Sequence, residues 1–281
     1  MTAILGGLLA AGSWAIALLT SARAARRIGP VQTLAGVMLV SGLIALPIAV
    51  LTMRDMSPRG EDLPLLAIAG AGNVLGLLFE YGGLRSGKVG IVGALAATEG
   101  AIAPLLSVLS GEALAPIQGA GIAVVALGVC FAALGHDPTE ASGSTRRAVL
   151  LGGLAGLSFG ASLYATGRIG SDLAVGWAIL PPRIVGVAII VFPLLAMRRL
   201  RIDRPVLPFV VIAGAGEVGG FLAVAWAAQQ SIAVASALSA QFATIAALVA
   251  WLLLGERLGR VQWVGIMAVA AGVVLLALGA A

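Results

Sequence analysis

Three ionisable residues stand deep inside long apolar runs of this chain: Glu99, Arg183 and Glu217. A charge near the bilayer midplane costs at least about 2.5–3.5 kcal/mol on insertion scales, so each should face a cavity or a partner. A carboxyl group there could take up and release a proton, or hold a substrate ammonium, while Arg183 could hold a substrate carboxylate. The plainer alternative is an Arg183–Glu pair that only locks two helices together. Asn73 joins the set because it follows Gly70-Ala71-Gly72 as Glu217 follows Gly214-Ala215-Gly216. Trp14 falls near the middle of the first apolar run and could pack against a substrate. Ser239 and Tyr164 add hydroxyls, although hydroxyls in membrane helices more often bond to backbone or to a neighbouring helix. Pro181-Pro182 beside Arg183, and Pro104 five residues after Glu99, are candidate gating bends, because proline removes a backbone hydrogen bond and crowds the preceding turn. Asn73, Gly76 and Glu80 share one helical face. Glu80, however, lies about a turn from the end of its run, where Arg85 or Lys88 could partner it at the surface.

Other chemistries are excluded. A single histidine, His136, and a single cysteine, Cys130, leave no metal site of the usual kind and no intramolecular disulfide. They also leave no serine–histidine hydrolase constellation, so no catalytic residue, metal or cofactor is expected. The stretch Gly214-Ala-Gly216-Glu-Val-Gly219 matches the dinucleotide pattern GxGxxG, but that pattern needs a strand before it and a helix N-terminus after it. Inside an apolar run, such glycines instead let helices approach closely.

The elements that must position these groups follow from composition. Of 281 residues, 60% are apolar and 10% are charged, against about 25% charged in soluble chains. The mean hydropathy is +1.09. The chain therefore reads as an all-α polytopic membrane protein of ten transmembrane helices, at about 2–20, 30–52, 63–84, 88–110, 115–134, 148–166, 173–197, 206–228, 232–254 and 260–279. The net charge of +5 belongs to the loops, not to a nucleic-acid surface. One set of loops carries thirteen Lys and Arg residues and the opposite set three (Arg54, Arg59 and Arg168). The rich set should face the cytoplasm, with both termini on the periplasmic or extracellular side.

The chain also repeats itself at an offset of 144 residues. Leu63-Pro64 and Ile68-Ala-Gly-Ala-Gly72 return as Leu207-Pro208 and Ile212-Ala-Gly-Ala-Gly216, and Gly111-Glu112 returns as Gly255-Glu256. The expected organisation is a five-helix repeat over 1–134, a cytoplasmic linker over 135–147, and a second five-helix repeat over 148–281. Five crossings are an odd number, so the second repeat must be inverted relative to the first. Duplication in so apolar a chain points to a transporter with its site between the halves. The Gly-Glu pairs read as helix stops, each followed by a cap for the next span.

Several segments resemble the drug/metabolite transporter superfamily in its ten-helix EamA-type form. The clearest is Trp251-Leu-Leu-Leu-Gly255-Glu256-Arg257-Leu258 with Gln262-Trp263-Val-Gly265-Ile266, and Gly111-Glu112-Ala-Leu114 is its weaker copy. Ser13-Trp14 and Arg183 are similar to elements of that family, while Gln241-Phe242 replaces its usual Glu-Pro. The resemblance implies export or exchange of a small metabolite, with an amino-acid-like solute favoured, through a central cavity lined by spans one, three, four, six, eight and nine. On this reading the partners are a small-molecule substrate, the lipid bilayer and protons as a candidate coupling ion. A monomer in the bacterial inner membrane is expected. A facilitative carrier or multidrug exporter is the near alternative, and a non-transporting scaffold or sensor the distant one.

Overall fold

The computed structural model describes residues 1–53, 58–85, 89–134, 145–254 and 259–279. His136, Lys88 and Glu256 lie outside them. Among the described residues every regular element is helical: α1 (Thr2–Ile28), α2 (Pro30–Thr52), α3 (Leu63–Leu84), α4 (Val89–Ala96), α5 (Glu99–Leu109), α6 (Pro116–Leu134), α7 (Thr145–Asp172), α8 (Val175–Gly186), α9 (Phe192–Ala196), α10 (Leu207–Ala228), α11 (Ile232–Ser239), α12 (Phe242–Leu254) and α13 (Arg260–Leu278). Six segments are long and apolar enough to cross a membrane, and four shorter apolar helices accompany them. Large apolar side chains such as Leu43, Leu109, Leu157, Phe192 and Met267 are exposed on the outside. A surface this apolar belongs against lipid.

Helices from the two halves of the chain pair extensively. α1 packs on α10 and α3 on α7, while α2 meets α8, α5 meets α11 and α6 meets α13. Glycine sets these distances. A Cβ on Gly72 would lie 2.8 Å from the Ser158 carbonyl oxygen of α7, and one on its repeat mate Gly216 would lie 2.7 Å from the Ser13 carbonyl oxygen of α1. Between α6 and α13 the approach is reciprocal. Gly128 abuts the Val269 amide nitrogen and the Gly265 carbonyl, and Gly272 abuts the Gly121 carbonyl. These contacts exploit the small-residue packing that brings membrane helices together without an aqueous hydrophobic driving force.

Two stretches expected to be continuous are broken. The run 88–110 divides into α4 and α5 at Ala97-Thr98, and the run 232–254 divides into α11 and α12 at Ala240-Gln241. The breaks fall at nearly equivalent places in the repeat. At each, a polar side chain competes with the helix for its own carbonyls: Thr98 Oγ1 donates to the Leu95 carbonyl (2.6 Å), and Gln241 Nε2 donates to the Ala237 carbonyl (3.0 Å). Gly100, just past the first break, packs against Ala240 at the second. Elsewhere, α1 runs longer than the expected 2–20, and α7 extends on both sides of 148–166. The prolines do not break their helices. Pro104 lies within α5, and Pro181 and Pro182 lie within α8. The irregularity after Arg183 is instead a π turn over Val187–Val191 that leads into α9, a form that recurs at functional sites in other helices.

Candidate functional site

A cavity lies between the two halves, lined from α1, α3, α5, α7, α10 and α12. Those elements fall in the spans expected to line it. Its polar groups include Glu80, Asn73 and Tyr81 of α3, Glu99 of α5, Glu217 of α10, Ser21 and Trp14 of α1, and Ser162 of α7. Phe159, Phe221 and Phe242 add aromatic wall. An apolar cavity with a few convergent polar groups is the usual form of a small-molecule site.

Asn73 and Glu217 both line it. The two residues are repeat mates, 144 positions apart. Arg183 reaches Glu217, with Nη2 3.9 Å from Oε2. Its Nη1 donates to the Ile179 carbonyl at 3.2 Å, and its guanidinium stands 4.7 Å from the centre of the Phe221 ring. Phe221 in turn meets Trp14 edge-on at 5.5 Å. Arg183 is 1% exposed and does not line the cavity. Arg183 instead stands behind the wall, against its Glu217 and Phe221.

Several buried polar atoms have no hydrogen-bond partner, and four of them belong to cavity residues: Trp14 Nε1, Asn73 Oδ1, Glu99 Oε1 and Glu217 Oε2. Arg183 Nε and Nη2 are also without one, as are Ser107, Thr166 and Ser236. A buried group left without a partner costs about 1–3 kcal/mol. Four such groups meet on this one cavity.

Other expected residues sit elsewhere. Ser239 is fully buried and spends its hydroxyl on the Ser236 carbonyl at 3.0 Å. Tyr164 shares a hydrogen bond with Ser110 at 2.6 Å, at the end of α5. Neither lines the cavity, because helix packing offers each a protein partner first. Glu80 moves the other way. Rather than reaching water beside Arg85, it is 4% exposed and lines the cavity. The reason is tertiary: Val92 of α4 and Leu151 of α7 pack over Gly83 and cover the end of α3. Its helical spacing from Asn73 and Gly76 was the signal in the sequence. Tyr81, Ser21 and the three phenylalanines had none, being indistinguishable from core residues.

The Gly111-Glu112 pair also acts differently from a cap on the next span. Gly111 ends α5 with a φ of +98°, a conformation that glycine adopts without strain. Glu112 then caps α11, from the other half of the chain. It accepts from Ser231 Oγ at 2.6 Å and from the Ala233 amide at 3.2 Å, where a helix N-terminus favours negative charge. Nearby, Gln230 Oε1 accepts from Thr2 Oγ1 (2.7 Å) and from the Ala3 amide (2.9 Å). These four hydrogen bonds, with that between Ser110 and Tyr164, tie the two halves together on the side that bears the N-terminus.

A helical chain with so apolar a surface is a multi-pass membrane protein. It belongs to the EamA-like transporter family of the drug/metabolite transporter superfamily, whose model matches residues 1–134 and again residues 146–278. No curated protein matches the chain. Among solved structures 28 chains match. One crystal structure superimposes with a TM-score of 0.76 at 15% identity, covering 98% of this chain and 96% of the other. At that identity the likeness is one of fold.

Proposed function

We propose that this protein is a secondary transporter that carries a small organic solute across the bacterial inner membrane by alternating access. In this reading the chain crosses ten times, as two inverted five-helix repeats over 1–134 and 148–281 joined by a cytoplasmic linker, with both termini outside. The observation that carries it is the cavity between the halves, to which the repeat mates Asn73 and Glu217 both contribute a polar side chain. Inverted repeats build their sites in such a place. The breaks between α4 and α5 and between α11 and α12 support it further, because discontinuous helices beside a midplane site recur in secondary transporters.

In this mechanism the solute enters from the linker side and is held against Asn73, Glu99 and Glu217. The contacts of Glu112 with α11, Ser110 with Tyr164, and Gln230 with α1 keep the far side shut. Release requires those bonds to break while the linker side closes. Pro104, Pro181 and Pro182 are the candidate bends, acting beside Glu99 and Arg183. The carboxyl cluster supports proton coupling, since a carboxyl can exchange a proton for a solute; a facilitative carrier or a multidrug exporter is the near variant. An amino-acid-like solute would need a cation for its carboxylate. Arg183, the candidate, is engaged by Glu217.

The test is flux into proteoliposomes across a panel of amino acids, nucleobases and organic cations, with and without a pH gradient. Saturable uptake of at least one class, lost in Glu217→Gln, is expected. If nothing moves and Glu217→Gln changes no phenotype, the transporter reading falls.

A further inference from the structure

The charges that face the cavity do not cancel. Glu80, Glu99 and Glu217 all line it, so three carboxyl groups share one space. No Lys or Arg lines it among the described residues. Arg183 offsets one carboxylate, Glu217, from behind the wall. Glu80 and Glu99, each 4% exposed, form no ion pair among the described residues. An uncompensated carboxylate in so dry a place is costly unless it takes a proton or a cation joins it.

The orphaned groups agree in kind. Asn73 Oδ1 is an acceptor without a donor, on a side chain only 3% exposed. Glu99 Oε1 and Glu217 Oε2 are acceptors too, and Trp14 Nε1 is the one unpartnered donor on the cavity. A ligand that satisfies this set brings several N–H groups and little acceptor capacity. The walls suit the same species, since five aromatic residues line the cavity and ring faces attract cations. The Arg183 guanidinium over Phe221 is a resident example.

We propose that the cavity binds an organic monocation, a protonated amine on an apolar or aromatic body. Glu99 and Glu80 are its charge partners, Asn73 Oδ1 accepts one N–H, and Trp14 and Phe242 hold the body. The proposal rests on the transporter reading and names the solute class for its site. It also accounts for the one-sidedness of the duplication. The repeat mates of Ser21, Glu80, Tyr81 and Glu99 are Ala165, Val224, Ala225 and Ala243, and Ala165, Val224 and Ala225 are packed away from solvent. Glu80 and Glu99 therefore have no acidic mate in the second half, which contributes Glu217 to the cavity.

Three probes of similar shape separate the charge classes: 2-phenylethylamine as its cation, phenylalanine as a zwitterion and 3-phenylpropanoate as an anion. Binding is measured at neutral pH by calorimetry on the purified protein in detergent, with Glu99→Gln and Glu80→Gln alongside and monodispersity checked for each. The expected result is an amine Kd at least about tenfold below the other two. Each glutamine variant should raise that Kd by about 10- to 100-fold, the worth of a charge-assisted hydrogen bond. The proposal is overturned if phenylalanine or phenylpropanoate binds as tightly as the amine, or if no probe binds. It is also overturned if both monodisperse variants bind the amine as the native protein does. Flux of an anion or zwitterion in the wider panel would sink the cation assignment yet leave the transporter reading standing. An inert panel would remove both.

Discussion

Arg183 offers the sharpest test, because two readings of it predict opposite results. In the structure it is a buried ion-pair partner of Glu217, at 3.9 Å. At an effective dielectric of about 20, charges at that distance attract by about 4 kcal/mol, and desolvation offsets part of this. Arg183→Met removes the cation and strands the Glu217 carboxylate, which is 6% exposed. Breaking a buried pair from one side costs about 3–5 kcal/mol, and the lost stacking on Phe221 adds about 0.5–2 kcal/mol. Arg183→Met/Glu217→Gln removes both charges and fills the site with a flexible apolar chain. It should fall within about 1–2 kcal/mol of the native protein, because exchanging a buried pair for neutral residues is often tolerated. Unfolding in mixed detergent micelles, followed by circular dichroism and tryptophan fluorescence, measures all four corners of the cycle. A coupling of at least about 2 kcal/mol is expected. If Arg183→Met is as stable as the native protein but no longer binds solute, Arg183 is a substrate ligand and the pairing argument is wrong.

Two further perturbations test the packing and the tie on the N-terminal side. Glu112→Ala deletes the cap on α11 and a bond between the halves, and should cost about 0.5–2 kcal/mol. It should also raise the labelling rate of a cysteine placed on the cavity wall by a thiol reagent added from the N-terminal side; an unchanged rate would show that Glu112 holds a helix end and nothing more. Gly128→Ala puts a methyl 2.7 Å from the Val269 backbone nitrogen and 2.9 Å from the Gly265 carbonyl, so α6 and α13 must separate. A lower melting temperature in detergent is expected, whereas Gly153→Ala, with open space around its Cβ, should leave it unchanged.

Much of the site was legible because charge is rare in this chain. Glu99 and Glu217 stand out in apolar runs, and Asn73 was found through its repeat context; all three line the cavity. Trp14 was found on its depth in the first run. Ser239 and Tyr164 were not separable from structural hydroxyls, since a hydroxyl bonds whichever acceptor packing brings near. Glu80 was read as a surface residue because its distance from the end of its run is visible in the sequence, and the helices that roof it are not.

What the sequence determined by itself is the class of molecule. Hydropathy requires helices, because only internally satisfied backbone survives in hydrocarbon. The 144-residue repeat requires matched halves, and the glycines kept in register fix which helix faces can approach closely. The tertiary structure decided how the few charges are used. It turned Arg183 behind Phe221, drew Glu80 inward, and sent Glu112 across to the other half. Each outcome depends on contacts between residues more than thirty positions apart, and pairing at that range leaves no periodicity along the chain.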